Sequence, residues 1–185
     1  MLYYKEKNTL MVTNLKLLND DSSKRVDVML YRQIISSLMY LTNTRPYICF
    51  VINNLSQYIV EPQHAHLVAA KHVMRYLKGS LDYGLRYAVY SEFRLCGYID
   101  SDWAGSAEDR KSTSRYCFSL GSGVISWIRR NKTHVSLSTA EGEYIAACSS
   151  CSEEVWLHKL LAGLFDTEMD ATETYCDNQS CIKFT

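Results

Sequence analysis

Residues 97 to 103 read Gly97-Tyr98-Ile99-Asp100-Ser101-Asp102-Trp103. They close an alternating, strand-like run on two carboxylates that no neighbouring residue in sequence neutralises. Asp100 is in phase with Cys96 and Tyr98, so a strand from Phe93 carries all three side chains on one face. An acid at a strand end is ordinarily a turn former or a cap, so the pair gains meaning only from what surrounds it.

Downstream, Ser114 to Leu120 and Val124 to Arg130 flank Gly121-Ser122-Gly123 and predict a hairpin. Ser138-Thr139-Ala140-Glu141 is a capping box, which starts a helix near Thr139 that runs, whole or with a break, to Leu164, with Glu143 in its first turn and a half. Glu173 to Asp177 predicts another short strand ending in an acid. Upstream, residues 1 to 30 show little periodicity and include Asn19-Asp20-Asp21-Ser22-Ser23, which predicts an extended lead-in. Ile34, Ile35, Leu38, Met39 and Leu41 fit a helix face ended by Arg45-Pro46, and Ile48 to Ile59 a second helix before Pro62. Gln63 to Leu77 fits a third, closed by Gly79. Beyond it Leu85, Tyr87 and Val89 alternate with polar residues, as half-buried strands do.

With 185 residues and 47% hydrophobic side chains, the chain is long enough for one or two domains with a buried core. No apolar run reaches the roughly 18 residues of a membrane helix, and the start lacks a signal peptide's apolar segment, which predicts an intracellular protein, cytoplasmic or nuclear, with no membrane partner. Seven cysteines without paired spacing suit reduced core thiols. Cys148 and Cys151 form a C-x-x-C, but on a predicted helix and without a second ligand pair they read as packing residues rather than a zinc or redox site.

Twenty basic and twenty acidic residues cancel overall. Their distribution is uneven. Residues 110 to 132 hold Arg110, Lys111, Arg115, Arg129, Arg130 and Lys132 with no acid, whereas nine acids face two bases after residue 132. On the third predicted helix Lys71, Arg75 and Lys78 line up at i, i+4 and i+7, which makes either a phosphate-contacting stripe or a solvated face.

Asp100 and Asp177 at strand ends and Glu143 near a helix start occupy comparable positions. Parallel neighbouring strands would bring the aspartates together, with the helix packed across them. Clustered carboxylates repel unless a cation joins them, and hard oxygen donors without a nearby His or Cys pair favour Mg²⁺ or Mn²⁺. Two such ions about 4 Å apart suit phosphodiester hydrolysis.

Four motifs sharpen this reading: Gly97 to Gly105, Asp109-Arg-Lys-Ser-Thr-Ser114, Ser138-Thr-Ala-Glu-Gly-Glu-Tyr144 and Tyr175-Cys-Asp-Asn-Gln-Ser180. In this order they resemble the ribonuclease H domain of copia-type retrotransposon Pol polyproteins. Tyr31-Arg32, Ser37 to Leu41, Thr44-Arg-Pro46, Ala70-Lys71 and Arg75 to Gly79 resemble the segment that closes the same elements' reverse transcriptase. The resemblance implies an α/β chain: a lead-in over 1–30, a helical reverse-transcriptase end over 31–83, and a C-terminally truncated ribonuclease H-like mixed sheet with flanking helices over 84–185. It implies Asp100, Glu143 and Asp177 as catalytic and metal-binding residues, with Mg²⁺ or Mn²⁺ as cofactor. The implied partners are an RNA/DNA hybrid, whose RNA strand is hydrolysed, and the remainder of a Pol polyprotein. Lys71, Arg75, Lys78, Arg110, Lys111, Arg129, Arg130 and Lys132 are the basic residues expected to hold nucleic acid.

Asp102 and Glu141 are read as a turn acid and a capping-box partner beside that centre. The family usually has glycine where Arg115 stands and alanine at Gly142, and its fourth metal-binding aspartate falls beyond Thr185. Those departures imply impaired cleavage, with a nucleic-acid-binding remnant or an inactive fragment as the alternatives.

Overall fold

The computed structural model describes residues 4–12, 17, 24–89, 93–102, 112–131, 136, 138–166 and 168–183. The chain divides into two compact units, Met1–Gly84 and Leu85–Thr185. Among the described residues no helix is long and apolar enough to cross a membrane.

The first unit is helical. Helix α1, Val28–Leu41, is started by Asp27, whose carboxylate accepts from the Met29 and Leu30 amides at 2.8 and 3.3 Å and so satisfies two of the donors that a helix leaves open. A single 3₁₀ turn, Pro46–Ile48, leads into α2, Cys49–Ser56. Helix α3, His64–Gly79, opens on a capping box in which His66 Nδ1 accepts from the Gln63 amide at 3.0 Å. Tyr31, Ile35 and Leu38 of α1, Val51, Ile52 and Leu55 of α2, and Leu67, Ala70 and Val73 of α3 share one core. The predicted lead-in contributes to this unit: the Lys7 amide bonds the Arg75 carbonyl at 3.4 Å, and His72 Nε2 bonds the Thr9 carbonyl at 2.8 Å.

The second unit is a four-stranded mixed sheet carrying helices, in the strand order β3-β2-β1-β4. Strand β1 is Leu95–Asp102, β2 Thr113–Leu120, β3 Gly123–Asn131 and β4 Glu173–Tyr175. Strands β1, β2 and β3 pair antiparallel, whereas β4 runs parallel to β1 with Tyr98 opposite Tyr175. This mixed α/β architecture is the one expected of a ribonuclease H-like sheet.

Helix α4, Thr139–Phe165, starts where the capping box predicts, with Ser138 Oγ accepting from the Glu141 amide at 3.1 Å. It runs unbroken across one sheet face. Its Ala146, Leu157 and Leu161 pack with Leu95 and Ile99 of β1 and Tyr116 and Phe118 of β2. Helix α5, Gln179–Ile182, is a single turn capped by Asn178, whose Oδ1 accepts from the Cys181 amide at 2.9 Å.

One expectation fails here. Leu85, Tyr87 and Val89 form no strand. The Tyr87 hydroxyl donates to the Val124 carbonyl at 2.7 Å, and the Ala88 amide donates to Ser122 Oγ at 2.8 Å. The Tyr87 ring lies where a side chain at Gly123 would have to stand. Tyr87 and Ala88 are thus tied to the hairpin by hydrogen bonds that involve side chains, and no backbone ladder forms there.

Candidate functional site

Glu143 reaches the sheet from α4 and is only 4% exposed. Burying a carboxylate is unfavourable unless polar partners replace its water, and Glu143 has them. Its Oε1 accepts from the Ser101 amide at 2.9 Å, and its Oε2 lies 3.9 Å from Cys176 Sγ. Asp177, exposed, follows directly after Cys176 at the end of β4. The ligand atoms of Glu143, Cys176 and Asp177 all lie within 4.8 Å of one another. Helix α5 packs against α4 behind them. There the Cys181 thiol is buried. Its pKa is pushed up to about 11 by burial first, with Cys176, Glu143 and Cys148 adding to the shift.

Asp100 lies outside this set of mutually close ligand atoms. Leu95 and Ile99 of β1 face α4, so the alternation of the strand turns Tyr98 and Asp100 to the other face. The register sets Asp100 directly opposite Arg115, and the carboxylate meets Arg115 Nη1 at 3.0 Å. Arg129 in turn stands opposite Arg115 on β3, so an acid and two guanidinium groups form a row across three strands. On the same face Tyr98 and Tyr175 stack at 5.3 Å between ring centroids. The parallel register, continued two residues, would bring Asp100 level with Asp177, but the pairing ends at Tyr98 and Tyr175.

Arg115 and Cys176 are the two site residues that the sequence reading missed. Cys176 had one usable signal, its place between a strand-end tyrosine and Asp177.

Two hard oxygen donors, one buried and held by a backbone amide, fit a divalent cation such as Mg²⁺ or Mn²⁺. The soft thiol of Cys176 fits such an ion less well. With Asp100 engaged by Arg115, the donors brought together suit one ion better than two.

The chain is 38% identical over 178 residues to the retrovirus-related Pol polyprotein from transposon RE2 of Arabidopsis thaliana, and 36% identical over 178 residues to that from transposon RE1. Both matches cover 96% of this chain. The chain belongs to the Pol polyproteins of copia-type retrotransposons. It spans 12% of the length of those two relatives. It is also 40% identical over 128 residues to the secreted RxLR effector protein 161 of Plasmopara viticola, covering 69% of this chain and 90% of that one. No protein-family model and no solved structure matches.

The basic positions of this retrotransposon-derived chain are not equivalent. Arg75 Nε donates to the Lys5 carbonyl at 2.6 Å, and Lys78 Nζ donates to the Tyr4 carbonyl at 3.3 Å and lies 3.7 Å from Glu6. These contacts tie the stripe on α3 to the lead-in, while Lys71 is exposed. Arg129 sits in the row with Arg115. Arg110, Lys111 and Lys132, and the side chain of Arg130, lie outside the described residues.

Proposed function

We propose that the chain is a ribonuclease H-type piece of a Pol polyprotein, built to hydrolyse the RNA strand of an RNA/DNA hybrid with Mg²⁺ or Mn²⁺. The observation that carries this reading is the buried Glu143 carboxylate beside Asp177, at the point where β1, β4 and α4 meet. The order of the four motifs and the Pol relatives support it. A divalent ion held by Glu143 and Asp177 would lower the pKa of a bound water and offset charge at the phosphoryl group.

The remaining work falls to the chain's own residues. The Ser101 amide fixes one oxygen of Glu143 and leaves the other directed toward Cys176 and Asp177. Arg115 and Arg129 offer adjacent guanidinium groups to the hybrid's phosphates, whose planar bidentate recognition suits arginine. A phosphate that engages Arg115 competes with Asp100 for it.

The test is incubation of an end-labelled RNA/DNA hybrid with the chain and Mg²⁺ or Mn²⁺, read on a denaturing gel. Weak cutting, confined to the RNA strand and lost in Glu143→Gln, is the expected result. Cutting that persists in Glu143→Gln would overturn the assignment. The Asp100–Arg115 pair favours a second reading, a nucleic-acid-binding remnant. That reading predicts hybrid binding that weakens steeply with salt and gives no product.

A further inference from the structure

We propose that Glu143, Cys176 and Asp177 form a binding site for a single thiophilic divalent ion of the zinc class. The three donors converge from separate elements, α4 and the end of β4, and their ligand atoms all lie within 4.8 Å. Tetrahedral zinc, with bonds of about 2.0 to 2.3 Å, sets its donors roughly 3.4 to 3.7 Å apart. The Cys176 to Glu143 separation of 3.9 Å is already close to that spacing.

The donors are also held in place. The Ser101 amide anchors Glu143, and Asn178 caps the turn that seats Cys181 behind Cys176. The two carboxylates alone suit a hard ion, and the sulfur beside them adds affinity for the softer zinc, cobalt or cadmium. The open side at the exposed Asp177 leaves a route for the ion and a position for water.

This site does not rest on the hydrolytic reading, but it uses two of the same carboxylates. A thiophilic ion seated there would therefore exclude a hard ion from them and would act as an inhibitor of any Mg²⁺-dependent cutting.

The experiment is a Co²⁺ titration of the reduced full chain carrying Cys148→Ser and Cys151→Ser, which removes the exposed thiol pair on α4. The expected result is a sulfur-to-cobalt charge-transfer band that saturates at one equivalent and is displaced by Zn²⁺. It should be lost in Cys176→Ser and need roughly tenfold more metal in Glu143→Gln. X-ray absorption of the zinc-loaded chain gives a readout that needs no further variant, with one or two sulfur neighbours and oxygen completing the shell. A band that survives Cys176→Ser, or a zinc shell without sulfur, would overturn the proposal, as would no band from a chain whose circular dichroism shows it folded. None of these signals depends on hybrid cleavage, so failure of the metal site and failure of the nuclease reading are told apart.

Discussion

Arg115 decides what Asp100 can do. The two side chains meet across β1 and β2 at 3.0 Å, both on the solvent side of the sheet. An exposed ion pair of this kind contributes about 0 to 1 kcal/mol, enough to bias the carboxylate without locking it. Arg115→Ala should therefore leave the melting temperature nearly unchanged and tighten Mn²⁺ binding by up to about fivefold, checked by calorimetric titration. Weaker Mn²⁺ binding in Arg115→Ala would mean that the guanidinium helps to build the ion site. The acids themselves were legible in the sequence, because each sits at a strand end or in a helix's first turns. Their partners were not. Residues 103–112 connect β1 to β2, too long a connection for turn chemistry to fix the register, so nothing local announced that Arg115 would face Asp100.

At the scale of elements, the close approach of β1 to its neighbours rests on Gly97. A methyl group there would stand 2.9 Å from both Phe118 Cε1 and Thr174 Oγ1, nearer than van der Waals contact allows. Gly97→Ala should destabilise the second unit by about 1 to 3 kcal/mol, the range for overpacking, measured by urea denaturation. No change would show that β4 and Phe118 yield easily. Helix α4 offers a milder test. Ser138→Ala removes the side-chain acceptor for the Glu141 amide and should cost about 1 kcal/mol, leaving Glu143 in place. That helix start was readable from Ser138 to Glu141 because a capping box is local chemistry. The segment around Tyr87 was misread for the opposite reason: alternation of residue types ensures neither a buried face, Tyr87 and Val89 being exposed, nor a strand edge to pair with.

For the whole molecule, the change of apolar period from helix to strand reflects two separate cores, one of α1, α2 and α3 and one of the sheet with α4. Each core lies within its own unit. Ile35→Ala should accordingly destabilise the first unit by about 2 to 5 kcal/mol and speed hydrogen exchange in α1 to α3, while β1 to β3 keep their protection. Equal loss of protection in both units would show that they fold as one. Residues 4 to 9 of the extended lead-in are bonded to α3. Its polar contacts are made mostly to backbone carbonyls, and Leu10, Met11 and Leu17 add apolar ones at spacings that show no periodicity. The spacing of Lys71, Arg75 and Lys78 left a phosphate stripe and a solvated face open, because a sequence shows charge spacing and not that Arg75 and Lys78 also touch the lead-in.

The central claim is that Glu143 and Asp177 form the ion-holding pair of a nuclease-type centre, and Mn²⁺ binding followed by electron paramagnetic resonance tests it most directly. The account predicts that the chain binds Mn²⁺ and that Glu143→Gln and Asp177→Asn each weaken binding by at least roughly tenfold. Affinities unchanged by both substitutions would contradict it.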